Sequence, residues 1–140
     1  MAANNPYAQY QQNAILNAKP EQLVTLLYNG AVKYTKQADM ALEKKDLQAA
    51  HNAMVQVQNI ITYLQATLNM DYEVSEQLDS LYGYIYDQLL QANLKKDPAI
   101  LAQVLKIIEE LRDTWTEALT KQAGGVQAGV GEADGGTNAG

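Results

Sequence analysis

Residues 98–122 read PAILAQVLKIIEELRDTWTEALTKQ, and this stretch carries the most regular apolar pattern in the chain. Its apolar side chains recur in alternating steps of three and four residues: Leu101, Val104, Ile108, Leu111, Trp115 and Ala118. That spacing places them on one stripe of an α-helix. Pro98 suits a first helical turn, and Asp97 before it can accept hydrogen bonds from free amides. We therefore predict a helix over residues 98–122.

Three earlier stretches repeat this pattern and predict helices over residues 20–42, 47–68 and 74–94. Their stripes are Val24, Leu27, Ala31, Tyr34, Ala38 and Ala41; then Ala50, Met54, Val57, Ile61, Leu64 and Leu68; then Leu78, Leu81, Ile85, Leu89 and Ala92. Asp46 can cap the second helix, whereas Lys19 is a poor cap for the first. The breaks between helices are short, which favours antiparallel neighbours. We predict an all-α fold, an antiparallel up-down four-helix bundle over residues 18–122.

Two flanking segments differ from the bundle in composition. Residues 1–17 form a predicted N-terminal arm with a short helix in which Tyr7 and Tyr10 share a face, too short to be stable alone. We expect the arm to be ordered only when it docks on the bundle. Seven of the nine glycines follow Ala123, without aromatic residues or apolar period. Residues 123–140 are therefore predicted to be a disordered tail.

Composition argues against several classes of function. The formal net charge of −6 opposes binding to nucleic-acid phosphates, which depends on Lys and Arg. The chain contains no cysteine, so it has no disulfide and no thiolate nucleophile. Its N-terminus lacks a secretory pattern, and no window is apolar enough to cross a bilayer. We expect a soluble, cytoplasmic protein that does not insert into membranes.

An enzymatic function lacks the usual residues. His51 is the only histidine, and the folded region has no glycine-rich phosphate loop. A di-iron bundle site needs two Glu-x-x-His pairs, but Gln48 stands three residues before His51. Carboxylate pairs such as Glu109 with Glu110, or Asp71 with Glu73, leave an enzyme open as a distant alternative, although solvated charges explain them better. We predict no catalytic residue, no cofactor and no metal, with His51 on a helix face.

The chain has more apolar residues than a simple bundle needs. Those beside or outside the stripes are Leu23, Leu26, Ile60, Leu90, Ile100, Ile107 and Leu119. One explanation is a broad core face; the other is a set of grooves for partner helices. The nine tyrosines fit partly exposed recognition surfaces, and Tyr82, Tyr84 and Tyr86 cannot all face one way on a helix. Tyr82 and Tyr86 either flank the core or bind a partner, and Trp115 fits the core.

An ordered set of short motifs connects the chain to a known family. They are Asn5-Pro6-Tyr7 with Tyr10, Pro20-Glu21-Gln22-Leu23, Leu27-Tyr28-Asn29-Gly30-Ala31, the NLKKD turn at residues 93–97, and Leu111-Arg112-Asp113-Thr114-Trp115. In this order and spacing, the chain resembles the flagellar secretion chaperones, FliS. Two departures are Lys19, where the family often has a capping serine, and the long glycine-rich tail.

The resemblance implies a bundle that binds the disordered C-terminal segment of flagellin in the cytoplasm. It would prevent premature polymerisation and help deliver flagellin to the flagellar export apparatus. Its implied partners are flagellin and an export gate component, with a flagellin-binding regulator and a weak homodimer left open. The implied protein-binding residues are Tyr7, Tyr10, Ile15, Leu16, Leu23, Leu26, Leu27, Tyr28, Tyr82, Tyr86, Ile107 and Trp115. Gly30 is expected to permit close helix approach.

Two further hypotheses remain at this point. The arm with Tyr7 and Tyr10 is expected to cover a groove in the free protein and to move when flagellin arrives. The rival to a chaperone is a self-associating bundle whose surplus apolar surface forms a homo-oligomer interface. A sizing experiment separates that rival from a monomeric chaperone.

Overall fold

The computed structural model describes residues 19–128, and this part of the chain folds into four α-helices. They are α1 (Pro20–Glu43), α2 (Leu47–Ala66), α3 (Glu73–Lys95) and α4 (Pro98–Ala128). α1 packs against α2 and α4, and α3 packs against the same two helices, so α1 and α3 are diagonal. The predicted four-helix bundle is confirmed. The predicted arm and residues 129–140 of the predicted tail lie outside the described residues.

The helix starts follow the predicted caps. Asp46 Oδ1 accepts the backbone N–H of Ala49 at 3.1 Å, and Asp97 Oδ1 accepts that of Ala99 at 2.9 Å. These carboxylates satisfy amides that the first helical turn leaves without a partner. Lys19 has no acceptor in its side chain, but Gln22 Oε1 accepts the backbone N–H of Lys19 at 3.2 Å. α1 therefore begins with only the returning half of a capping box.

The α1–α2 and α3–α4 turns use the same tripeptide, Lys-Lys-Asp, and the same geometry. The second lysine of each is left-handed, with φ of 61° at Lys45 and 50° at Lys96. The following aspartate N–H then reaches back to a helix carbonyl, from Asp46 to Ala41 O at 2.8 Å and from Asp97 to Ala92 O at 3.0 Å. This is the backbone pattern of a Schellman turn, which usually places glycine at the left-handed position. Each tripeptide thus ends one helix and caps the next.

Three polar contacts in steps of seven residues set the register of α2 against α3. Gln65 Nε2 donates to Asp79 Oδ1 at 2.9 Å, and Gln58 Nε2 lies 3.5 Å from Tyr86 O. His51 Nδ1 and Asn93 Nδ2 lie 2.9 Å apart. From one contact to the next, the residue number falls by seven on α2 and rises by seven on α3. The two helices are therefore antiparallel, with a heptad repeat of contacts. His51 lies on a helix face and joins α2 to α3.

The core is packed unevenly along the bundle axis. We call the closed half residues 31–43, 47–57, 85–95 and 98–108, which meet at the two Lys-Lys-Asp turns. Its stripe residues are almost all buried, and five of these twelve are alanine: Ala31, Ala38, Ala41, Ala50, Met54, Val57, Ile85, Leu89, Ala92, Leu101, Val104 and Ile108. Small side chains let helix backbones approach closely. The predicted stripes do face the core here.

At the opposite end of the bundle, the apolar stripes are less completely buried. We call the open end residues 20–27, 64–66, 73–81 and 111–121. Leu64 is buried, but six other stripe residues pack against the core and stay partly exposed: Val24, Leu27, Leu78, Leu81, Leu111 and Trp115. Ala118, the last position of the α4 stripe, is exposed, contrary to its predicted place in the seam. α1 begins at Pro20 and α3 at Glu73, close to these side chains, so few residues of either helix lie beyond them to cover them.

Two helix ends differ from the predicted boundaries. α2 ends at Ala66, two residues early, where Thr67 Oγ1 donates to Leu64 O at 2.8 Å and competes with a further helical turn. α4 continues to Ala128, past the predicted end at residue 122 and through Gly124 and Gly125. Extending an existing helix requires no new nucleus, so a glycine pair does not by itself end it.

Candidate functional site

The open end presents apolar side chains from two neighbouring helices. On α1, Leu26 is 38% exposed and Leu23 is partly exposed. On α4, Leu119 is partly exposed one turn beyond Trp115. Leu23, Leu26 and Leu119 are absent from the set of side chains packed on the buried core, unlike Leu27 and Trp115. The sequence-predicted residues Leu23, Leu26, Leu27 and Trp115 are therefore brought to the same end of the bundle.

A side-chain hydrogen bond fixes α1 against α4 at this site. Trp115 Nε1 donates to Thr25 Oγ1 at 2.8 Å, and the Thr25 hydroxyl donates to Glu21 O at 3.1 Å. The indole N–H is thereby satisfied within the protein, as partly buried tryptophans usually require. The ring is held in one orientation between the two helices, and Trp115 supports the apolar surface besides contributing to the core, as predicted.

Below the open end, two tyrosines join the diagonal helices. The hydroxyls of Tyr28 and Tyr82 lie 2.6 Å apart, and both side chains are almost fully buried. Burial raises the pKa of both hydroxyls, and the hydrogen bond to Tyr28 raises the pKa of Tyr82 further. Both groups therefore stay neutral across the physiological range. The pair forms a buried hydrogen bond between α1 and α3 across the centre of the bundle.

This placement changes how Tyr28 and Tyr82 are interpreted. We expected tyrosine to favour wet surfaces, but each of these two finds its hydroxyl partner inside the core. Neither side chain is accessible to a partner in this packing, so the described geometry gives both a core role. Their assignment as protein-binding residues stays a prediction that requires rearrangement of the bundle.

The other predicted binding residues are dispersed. Tyr86 is exposed on α3, where its backbone carbonyl faces Gln58 of α2, and Tyr84 is exposed as well. Ile107 packs partly buried against the core two turns before Trp115. Neither Tyr86 nor Ile107 belongs to the open end as defined. Tyr7, Tyr10, Ile15 and Leu16 lie outside the described residues, so their roles stay predictions.

The alternative chemistries gain no support within the described residues. In that part of the chain, no group of three or more His, Asp or Glu side chains is arranged to hold a metal ion. Glu109 lies 3.8 Å from Lys36 in a surface ion pair, and Asp71 and Glu73 are exposed. Among the helices of residues 19–128, none is long and apolar enough to cross a membrane.

Sequence reasoning missed Thr25 as a member of the site. Its position among the leucines of the first α1 turns gives a weak signal, since a hydroxyl there needs a partner. That partner, Trp115, is 90 residues away in the chain, and no local pattern pairs them. Gly83 was also missed; unlike Gly30, it has no packing role inside the bundle.

Comparisons with known proteins agree with one another. A family described as "Flagellar protein FliS" matches residues 3–122. The flagellar secretion chaperone FliS of Bacillus subtilis is 38% identical over 122 residues, which cover 87% of this chain and 92% of that protein. The FliS of Salmonella typhimurium is 32% identical, covering 82% of this chain and 88% of that protein.

A solved structure shares the fold. It is described as the crystal structure of a flagellar chaperone from bacteria, and it matches with a TM-score of 0.68 at 18% identity. The match covers 83% of this chain and 99% of that one. At this identity the likeness concerns the fold, and it supports the antiparallel helical bundle described above.

Proposed function

This chain belongs to the flagellar protein FliS family, and on that premise we propose that it is a flagellin-specific export chaperone. In this proposal it binds the C-terminal segment of flagellin in the cytoplasm, prevents early polymerisation and assists delivery to the flagellar export apparatus. Membership in the family supports a role as a flagellar export chaperone, since the relatives that match most of the chain are flagellar secretion chaperones. Flagellin as the cargo is the specific step that we infer.

The observation that supports this proposal is the incomplete apolar cover at the open end. Leu23, Leu26 and Leu119 are outside the packed core, and Leu27 and Trp115 lie beside them with part of their surface uncovered. Exposed apolar surface on a helix pair suits a partner helix that lays its own apolar face into the groove. A flagellin segment that becomes helical on binding would supply such a face.

The physical basis of binding follows from this surface. A disordered segment loses conformational entropy when it folds on a chaperone, and burial of a large apolar area offsets that loss. The Thr25–Trp115 bond keeps the open end in place before binding, so the chaperone side needs little ordering there. Release to an export gate component needs no nucleotide in this proposal, because the gate can compete for the same segment.

The first experiment is isothermal titration of the full chain with the last forty or so residues of the same organism's flagellin, followed by circular dichroism. We expect one-to-one binding, a negative heat-capacity change and a gain in helicity. Absence of binding would reject flagellin as cargo. If, in addition, the sedimentation coefficient of the chain alone rose with its concentration, the self-associating bundle would be favoured.

A matched pair of variants locates the site. Leu26 and Met40 both lie on α1, with exposures of 38% and 52%, but Leu26 is at the open end and Met40 is in the closed half. We expect Leu26→Ser to weaken flagellin binding by about tenfold, since the loss of one buried leucine contact is of that order. Met40→Ser should bind like the unmodified chain. Equal effects of the two substitutions would move the site away from the open end.

The arm is tested separately. We propose that residues 1–17 cover the open end in the free protein and move when flagellin binds. Deleting them should raise the association rate, because a covering segment no longer has to leave first. If both the affinity and the association rate stayed unchanged, the arm would have no such role.

A further inference from the structure

A second exposed apolar surface lies on the other side of the bundle, along the outside of the α2–α3 contact. We call it the outer seam: Leu47, Val55, Gly83, Tyr86, Leu90 and Leu94. Leu94 is the most exposed of the large apolar side chains in the described chain, at 71%, and Leu47 is 53% exposed. The contacts from Gln58 to Tyr86 and from His51 to Asn93 run along the same side, and Val55 and Leu90 lie between them in sequence. The outer seam is therefore a row of apolar residues on two antiparallel helices, with the polar contacts of His51 and Gln58 among them.

Gly83 is the feature of this strip that the fold itself does not explain. A Cβ on Gly30 would meet Ile60 Cδ1 at 3.3 Å, so that glycine serves the close contact of α1 and α2. A Cβ on Gly83 would meet nothing within 4 Å, although glycine weakens a helix interior relative to alanine. Gly83 lies four residues after Asp79, whose carboxylate accepts a hydrogen bond from Gln65 of α2, and three before Tyr86, whose backbone carbonyl contacts Gln58 of α2. The missing side chain opens a notch where the backbone of another helix can approach closely.

Positive charge gathers at one end of the outer seam. The two Lys-Lys-Asp turns place Lys44 and Lys45 just before Leu47, and Lys95 just after Leu94. All three lysines are exposed, and none forms an ion pair with another described residue. The aspartates of both turns are directed to backbone amides as helix caps. With Lys96 the two turns hold four lysines against Glu43, Asp46 and Asp97, a local balance of +1 in a chain of net charge −6.

We propose that the outer seam binds an acidic amphipathic helix of a partner protein other than flagellin. The helix would lay apolar side chains over Leu90 and Leu94, bring its backbone to Gly83, and direct carboxylates to Lys44, Lys45 and Lys95. From Gly83 to Leu94 the strip is roughly 17 Å long, about three helical turns. Apolar anchors with charged residues at one end give such a groove both affinity and a preferred orientation. The site is separate from the open end and does not depend on the proposed flagellin binding, and it reassigns Tyr86, one of the binding residues implied by the family resemblance, to this second partner.

An anionic lipid surface fits these observations less well. Polybasic lipid-binding segments usually contain four to eight clustered lysines or arginines. The seam has three, and the net charge of the whole chain would be repelled by an anionic bilayer. The exposed leucines of α3, Leu90 and Leu94, also lie beside α2, which suits a helix docked between the two helices better than a flat membrane surface.

The test uses the full chain labelled with ¹⁵N and a synthetic 16-residue helical peptide. One peptide carries leucines at positions i, i+4, i+7 and i+11 with glutamates at one end, and a second has lysine in place of each glutamate. We expect the acidic peptide to shift the amide signals of Gly83, Leu90 and Leu94 in a saturable way, while Gly30 stays unchanged. The lysine peptide should bind at least about tenfold more weakly, because it meets three lysines.

Two variants separate binding from folding. Gly83→Leu places its Cβ where no other atom lies within 4 Å, so it should keep its helical circular dichroism and lose at least tenfold in affinity for the acidic peptide. Leu94→Asp should do the same, whereas Leu26→Asp at the open end should leave this binding unchanged. Unaltered binding by folded Gly83→Leu and Leu94→Asp would overturn the proposal.

Further outcomes distinguish the other occupants. Shifts confined to Thr25 and Trp115, equal binding of both peptides, or no saturable binding would each contradict an acid-selective seam. Binding to anionic vesicles in place of the acidic peptide would assign the surface to lipid, and peptide-free shifts of Gly83 with protein concentration would assign it to a second copy. When the flagellin C-terminal segment is present at saturation, peptide binding should persist; competition would show that the two sites are one. Flagellin affinity is measured in a separate titration, so the proposal for flagellin and the proposal for the outer seam can each be rejected without the other.

Discussion

The closed half and the open end are built from the same four helices, yet they differ in how completely they bury their apolar stripes. In the closed half, the alanines of α1 lie in one bundle with the large side chains of α3 and α4, and almost every stripe position is buried. At the open end, the stripe positions are mostly leucine, with valine, tryptophan and one alanine, and all but Leu64 keep some exposure. The closed half therefore contributes more buried apolar area to stability than the open end does. Under the proposed function, the uncovered apolar surface of the open end is where a partner binds.

The largest expected effect comes from truncating one leucine in each region. Leu89→Ala in the closed half removes a fully buried side chain and should lower the free energy of unfolding by about 3 kcal/mol. Leu78→Ala at the open end removes a partly exposed one and should lower it by about 1.5 kcal/mol. Urea unfolding of both variants measures the difference. Equal losses would mean that the open end is packed as tightly as the closed half.

The Tyr28–Tyr82 pair lies at the boundary of the two regions. Tyr28→Phe or Tyr82→Phe alone leaves one buried hydroxyl without its partner and should cost about 2 kcal/mol. The double substitution removes both hydroxyls and should cost clearly less than the two single losses added together. A double-mutant cycle in urea tests this coupling. Additive losses would show that water already satisfies each hydroxyl, and so that the open end extends down to this layer.

Alkaline pH should weaken the same boundary. The pKa of both tyrosines is raised in the folded protein, chiefly by burial, so the folded state keeps protons that the unfolded state loses above about pH 10. Their contribution to stability is complete below the unfolded pKa and falls as the pH rises further, by up to about 1.4 kcal/mol per pH unit for each group. Thermal unfolding from pH 8 to 11.5 measures it, and the double phenylalanine variant should show a shallower decline. An identical decline in that variant would assign the effect to other groups.

The smallest expected effects come from the two helical glycines. Gly83→Ala meets no neighbour and should raise the free energy of unfolding by up to about 1 kcal/mol through helix propensity. Gly30→Ala would place a methyl group 3.3 Å from Ile60 Cδ1, so its gain should be smaller or absent. Thermal unfolding of both variants compares a free surface with a close helix contact. A larger gain at Gly30 than at Gly83 would contradict the packing described for α1 and α2.

Much of the fold was predictable because its signals are local. The stripes of α1 to α4 follow a period set by helix geometry, and Asp46 and Asp97 cap the helices that directly follow them. The motif set, read in order, also indicated the flagellar chaperone family, which the relatives confirm. Helix ends were less predictable, as α4 shows by continuing through Gly124 and Gly125.

The candidate site was only partly predictable. Leu23, Leu26, Leu27 and Trp115 were expected to contact a partner, and the structure brings them to one end of the bundle. Their role in binding stays a prediction. The family resemblance implied a binding role for Tyr28 as well, but its hydroxyl turns inward to Tyr82. A helical pattern indicates which residues share a face; it does not indicate how deep each layer of a bundle lies.

Local signals in the chain are enough to specify four amphipathic helices with short turns, because propensity, capping and apolar period act within a few residues. Contacts between side chains 54 and 90 residues apart, as between Tyr28 and Tyr82 or Thr25 and Trp115, follow only from the packing of the helices. It also decided that Gly30 is enclosed while Gly83 faces open space. These outcomes depend on how four helices pack at once, and burial at any one position is set by neighbours that lie far away in the chain.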